Sequence, residues 1–301
     1  MTMQKQNAAL LTGCLCALGC ETLYGLSFIF TKKAVESASA FALLGWRFAI
    51  AFCVFSLCVA AGVIRTRIRK EKLPQLLQIA LLFPIVYFFG ETIGIRHTSA
   101  SESGIFIASV PIFSLLLSTF VLHKKPTPPQ VTGIAITLIG CVTTVVSQYA
   151  SANFSLTGYL FLSLAVISYA FSSILIEKAA GLSGAEITYA MLASGALVYG
   201  LTAMAEAAYA GSLPALLALP CQNPDFLTAI LYQGIGCSVL AFFLSNVAIA
   251  KIGVNRTASF IGVATLVSIL SGCFVLHEHL SGYQIIGSIL IIAGVYIANR
   301  R

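Results

Sequence analysis

The chain reads as long apolar runs separated by short polar breaks. A helix needs about twenty apolar residues to cross roughly 30 Å of hydrocarbon. Runs of that length fall at 10–30, 39–61, 74–94, 101–122, 128–148, 156–176, 186–206, 226–250, 257–276 and 281–299. They predict an all-α membrane protein of ten transmembrane helices with no region left for a soluble domain. The first run follows a short leader with one lysine, Lys5, and is read as a retained helix because so many similar runs follow it. The one long break, 207–225, is rich in Ala, Leu, Gly and Pro. It is read as either a short helix lying on the membrane or a flexible loop.

Composition agrees with the pattern: 58% of the 301 residues are hydrophobic and only 9% charged, with a mean hydropathy of +0.95. That is too little charge to cover a soluble surface. In a soluble protein the net charge of +7 would raise the question of nucleic acid, but here its distribution gives an orientation instead. With both termini inside, the inner segments hold Lys5, Arg65, Arg67, Arg69, Lys70, Lys72, Lys124, Lys125, Lys178, Lys251, Arg256, Arg300 and Arg301. Only Lys32, Lys33 and Arg96 fall outside and Arg47 within a span, so the positive-inside rule predicts an N-in and C-in topology. Of the nine cysteines only Cys221 lies in a loop. Helix packing is therefore expected of them, with no disulfide framework and no metal cluster.

The pattern also repeats. A shift of 154 residues lays "FVLH" at 120–123 on the identical "FVLH" at 274–277, with Gln130, Gly133 and Gly140 on Gln284, Gly287 and Gly294. A shift of 145 lays Gly13 on Gly158, Tyr24 on Tyr169, Ser27 on Ser172 and Lys33 on Lys178. Two units are predicted, 1–150 and 151–301. Because each has an odd number of spans, five, the second enters the membrane in the opposite sense. Inverted units of this kind are a recurrent plan of secondary transporters, with the substrate site where the units meet.

Four stretches carry a resemblance to a known family: "YGLSFIFTKKA", "LLGWRFAIA", "RHTSASESGIFIASVPIF" and "VLHEHLSGYQIIGSILIIAGVYI". Over nearly its whole length the chain resembles the drug/metabolite transporter superfamily, in its EamA-type branch of ten-helix carriers. The resemblance implies a gradient-driven carrier and leans toward export. Tyr24 stands where the family usually has tryptophan, and "HKK" at 123–125 replaces the acidic motif of the first unit. Glu21 is similar in location to the first-helix glutamate that the small multidrug carriers of the superfamily share between protons and cationic drugs, although its flanking residues do not match.

Glu21 is the only charged residue between Leu10 and Thr31. A charge at that depth has to face protein or water, pair, or bind a proton. Arg47 falls at a similar depth, roughly 12–14 Å from the outer ends of the first two spans at 1.5 Å per residue. Two readings stay open: a structural Glu21–Arg47 ion pair, or a carboxylate that exchanges protons with substrate. Tyr24, Ser27 and Phe28 continue the Glu21 face and suit a cavity wall, and Tyr169 and Ser172 repeat the Tyr and Ser from the sixth span. Trp46 is either a cavity residue or an interfacial anchor. Glu91 and Glu102 flank an outer turn holding Arg96 and His97, as an acidic vestibule or as partners of Arg96. Asn246 is read as either an interhelical bond or a cavity residue. His277, beside Glu278 and His279, is either a helix cap or a sensor of outer pH.

The chain lacks a Gly-rich phosphate loop and a His-Glu-x-x-His pattern, and its only aspartate is Asp225 in a loop. Neither nucleotide-driven transport nor catalysis is expected, and no cofactor. The reading is a secondary transporter exporting a small amino acid or related amine metabolite, with proton coupling through the central cavity. A multidrug or cationic-compound exporter, a channel and a membrane assembly protein are the alternatives. Expected partners are the lipid bilayer, a small-molecule substrate and H+, with no nucleic acid. One chain supplies both units, so a monomer suffices and a homodimer is compatible with it. The expected location is a prokaryotic cytoplasmic membrane.

Overall fold

A computed structural model of the protein describes residues 3–123, 125–150, 155–179, 181–277 and 281–298. Among the described residues the regular structure is helical throughout: α1 (Met3–Ser37), α2 (Ala40–Ala60), α3 (Leu73–Ala80), α4 (Tyr87–His97), α5 (Ala100–Ile107), α6 (Val110–Val121), α7 (Pro128–Ala150), α8 (Leu156–Lys178), α9 (Gly184–Tyr209), α10 (Leu213–Gln222), α11 (Pro224–Leu231), α12 (Phe242–Ile252), α13 (Val254–Ser259), α14 (Ile261–Leu276) and α15 (Gly282–Ala298). Wide π-helical turns, Leu81–Val86 and Tyr232–Ala241, join α3 to α4 and α11 to α12. Seven helical stretches are long and apolar enough to cross a membrane: Ala9–Ser37, Ala40–Ala60, Lys70–His97, Leu156–Lys178, Gly184–Tyr209, Pro224–Ile252 and Val254–Leu276. Lys124, Glu278, His279, Arg300 and Arg301 lie outside the described residues.

Where element boundaries depart from the apolar runs, side chains supply the reason. The first helix continues past 30 to Ser37, because Lys32 lies along it and donates to the carbonyls of Thr98 at 2.6 Å and Ile95 at 3.3 Å. A cation there satisfies the last carbonyls of α4 and complements the negative end of its dipole. The third run is bent at Phe83, whose φ and ψ are −140° and 108°, just before Pro84. Proline has no N–H for the ladder, and the Ile85 carbonyl in this bend accepts instead from the hydroxyl of Tyr199 on α9. The fourth run is split into α5 and α6 just ahead of Pro111. In the long break, α10 is a helix begun by Pro214 in its first turn.

Pairwise packing follows a reciprocal scheme. Helix α2 packs on α9 and α7 on α15, while α1 packs on α12 and α14 as α8 packs on α4 and α6. The α7–α15 contact rests on glycine. A Cβ on Gly140 would stand 2.6 Å from the Gly287 carbonyl oxygen, and one on Gly133 would strike the carbonyl of Gly294. The two helices therefore touch backbone to backbone and run antiparallel. Both "FVLH" segments end alike, with His123 at φ 52° and His277 at φ 54° in the left-handed region. His277 is thus a helix C-cap, ending α14 with its N–H bonded to the Gly272 carbonyl.

Candidate functional site

Helices α1, α4, α5, α8 and α14 meet around a small cavity of about 20 Å³, lined by Glu21, Tyr24, Phe28, Tyr87, Ile107, Tyr169, Ile261 and Ala264. That volume matches about one water molecule, so the conformation is closed on a substrate-sized ligand. Glu21 is 2% exposed. Among the described residues, the one side chain that donates to its carboxylate is the Cys20 thiol, in a long contact 3.9 Å from Oε1. Leaving an ionised carboxylate so poorly partnered in an apolar setting costs several kcal/mol. A bound proton or a cationic ligand removes that penalty.

The wall around Glu21 is aromatic. Tyr87 and Tyr169 lie 5.6 Å apart between ring centroids, and Phe83 packs on both at 4.8 and 5.3 Å. The hydroxyl of Tyr24 is buried and finds no close hydrogen-bond partner among the described residues. Aromatic rings on a cavity wall offer π surface to a cation that reaches it. Ser27 and Ser172 are turned back onto their own helices, donating to the carbonyls of Tyr24 at 2.7 Å and Tyr169 at 3.0 Å. They shape the backbone behind the cavity, in the same way in both halves of the chain.

Arg47 is also buried, at 1% exposure, but it is engaged elsewhere. Its Nε donates to Ser238 Oγ at 2.8 Å and its Nη1 to Gln233 Oε1 at 3.1 Å, while Gln233 Nε2 donates to Thr31 Oγ1 at 2.9 Å. The guanidinium lies 4.0 Å from the Phe88 ring centroid, and Nη2 has no partner. Of the two open readings of Glu21 and Arg47, the ion pair is not formed. Arg47 acts electrostatically on Glu91 instead. Glu91, 5% exposed, accepts at Oε1 from the Tyr87 hydroxyl at 2.7 Å.

The remaining candidates stand apart from the cavity. Trp46 Nε1 donates to the Leu216 carbonyl at 3.0 Å and ties α10 to α2. Asn246 Nδ2 donates to Thr188 Oγ1 at 2.9 Å across the α12–α9 interface. Glu102 closes a capping box at the start of α5: Oε2 accepts from the Ser99 N–H at 2.7 Å, and the Glu102 N–H donates to Ser99 Oγ at 3.0 Å. Tyr87, Gln233 and Ser238 escaped the sequence reading. Tyr87 was findable, four residues before Glu91 and so on the same helix face. Gln233 and Ser238 were not, because five residues turn a regular α-helix by about 140°. The π-helical turn brings both to one guanidinium.

An all-helical bundle with seven long apolar helices, closed over a buried carboxylate, defines a multi-pass membrane protein. The EamA-like transporter family model matches the chain twice, at residues 11–146 and 156–300. The chain belongs to the EamA-like transporter family, a family of transporters rather than enzymes, whose working partners are a lipid bilayer and a small-molecule substrate. It is 31% identical over 279 residues to an uncharacterized transporter, YcxC, of Bacillus subtilis, covering 92% of this chain and 89% of that one. A probable amino-acid metabolite efflux pump of Salmonella typhimurium is 22% identical, with 93% and 92% covered. A probable terminal-alkyne amino-acid exporter of Streptantibioticus cattleyicolor is 25% identical, with 82% and 80% covered. A solved crystal structure shares the fold at a TM-score of 0.67 and 20% identity, covering 97% of this chain and 96% of that one.

Proposed function

We propose that this protein is a gradient-driven exporter of a small amino acid or related amine metabolite, working by alternating access and exchanging substrate for protons at Glu21. The observation that carries the reading is the Glu21 carboxylate, buried on the cavity wall among Tyr24, Tyr87 and Tyr169 with no basic residue in the lining. Ammonium and proton compete for such a group, and that competition couples their movements. Relatives named as amino-acid metabolite pumps and an amino-acid exporter support the substrate class. An aromatic lining with a single carboxylate also favours a second reading, a broader exporter of cationic compounds.

The same proposal includes ten spans, N-in and C-in, in a prokaryotic cytoplasmic membrane, arranged as inverted units 1–150 and 151–301. The reciprocal glycine approaches support it. Under the shift of 154, the Gly133–Gly294 contact becomes Gly287–Gly140, which is the other contact observed. A two-fold relation between antiparallel units has that property. The lysines and arginines of the inner segments support the orientation.

The test is transport in proteoliposomes under a pH gradient with a panel of amino acids, polyamines and quaternary amines. Substrate-dependent proton flux in the wild type, abolished in Glu21→Gln, is the expected result. Proton-independent transport preserved in Glu21→Gln contradicts the coupling role, and no flux with any candidate in folded wild-type protein contradicts the carrier reading.

A further inference from the structure

One tyrosine stands near two buried carboxylates. Tyr87 stands on the cavity wall with Glu21, and its hydroxyl donates to Glu91 Oε1 at 2.7 Å. Glu91 is not among the residues lining the cavity. It lies six residues before the end of α4 at His97, about 9 Å along the helix, and within the electrostatic reach of Arg47. From this arrangement we infer that the carboxylates divide the work. Glu21 meets the substrate, Glu91 takes up the proton from the end of the bundle where α4 terminates, and the Tyr87 hydroxyl passes it from one to the other. The inference rests on the proton exchange proposed above and adds a second acid and a relay to it.

A phenol suits the role because one oxygen both accepts and donates. In the observed state Tyr87 donates to Glu91, which serves as acceptor. When Glu91 gains a proton its oxygen becomes a donor, and the hydroxyl is free to turn. It then accepts the Glu91 proton while giving its own to Glu21, directly or through the one water that about 20 Å³ admits. One O–H bond breaks at Glu91 and one forms at Tyr87; one breaks at Tyr87 and one forms at Glu21. The negative charge passes from Glu21 to Glu91, and Tyr87 ends neutral. A substrate ammonium that had been held by Glu21 loses its counter-ion at that moment and is released.

Neighbouring elements supply the electrostatic frame. From α2, the Arg47 guanidinium lies over the Phe88 ring, and its charge is felt at Glu91. From α1 and α8, Tyr24 and Tyr169 share the cavity with Glu21, and Cys20 lies beside it. Tyr199 of α9 is committed to the Ile85 carbonyl and the Cys237 thiol to the Leu23 carbonyl at 3.5 Å. Neither bridges the two acids.

Tyr87→Phe keeps the ring packed on Phe83, Phe88 and Tyr169 and removes the hydroxyl alone. It and Glu91→Gln are compared with the wild type in proteoliposomes, using a substrate the wild type carries and two assays. Counterflow, the exchange of labelled for unlabelled substrate, needs no net proton movement, whereas accumulation driven by a pH gradient does. In both variants proton-driven accumulation is expected to fall about 100-fold relative to counterflow, the scale of a missing proton-transfer group. Equal accumulation by Tyr87→Phe and wild type overturns the relay, and so does an equal loss in both assays, the mark of a purely structural role. Failure of the underlying proposal shows in the wild type itself: counterflow without any accumulation under a pH gradient overturns both, while failure of the relay alone shows only in the variants.

Discussion

Arg47 shows how a buried charge is held without a carboxylate in contact. Gln233 and Ser238 take two of its donors and Phe88 covers its face, a combination that needs a planar guanidinium. Arg47→Lys is therefore not conservative. It is expected to leave at least one of the two acceptors unpaired, at on the order of 1–3 kcal/mol. A lowered melting temperature in detergent checks this, and an unchanged one contradicts it. That Glu21 and Arg47 would be buried was legible in the sequence, but which partners each would find was not. Counting residues from a helix end gives height above the membrane plane, while the turn Tyr232–Ala241 decides which way Arg47 is drawn. Likewise Ser27 and Ser172 could be placed on the right helix face, yet only the three-dimensional arrangement shows their hydroxyls returned to their own backbones.

Among the elements, the apolar runs foretold where helices lie, because a membrane demands that each stretch satisfy its own backbone. The breaks are marked not by the runs but by the prolines within them: Pro84 and Pro111, each lacking an N–H and crowding the preceding turn, stand where the third run bends and the fourth is split. Helices α7 and α15 meet through Gly133, Gly140, Gly287 and Gly294, which the sequence had already marked as equivalent positions. Gly133→Val is expected to push α15 away, because its side chain would enter the Gly294 carbonyl. Thr132→Val, next to it on an exposed face, is expected to be neutral; equal stability of the two variants in thermal denaturation contradicts this packing. Helix α10 hangs on the indole of Trp46. Trp46→Phe deletes that donor, and faster amide exchange confined to 213–222 is the expected consequence.

For the whole molecule, the orientation predicted from charge has a direct check in native chemistry. Cys221 is exposed at the end of α10, on the side expected to face out. In intact cells a membrane-impermeant maleimide is expected to label Cys221. It is not expected to label Thr66→Cys in a Cys221→Ser background, unless the inner face is opened. The reverse pattern contradicts the N-in and C-in assignment. The cavity draws on both halves of the chain, with Glu21 and Tyr24 from the first and Tyr169, Ile261 and Ala264 from the second, as the proposed inverted units would have it.

The central claim is that substrate and proton compete for the Glu21 carboxylate, and calorimetry of substrate binding to purified protein tests it most directly. Binding is measured in two buffers of different ionisation enthalpy, which counts the protons released. The account predicts proton release on binding by the wild type and none by Glu21→Gln in whatever binding remains. Tight binding without proton release, or release undiminished in Glu21→Gln, would contradict it.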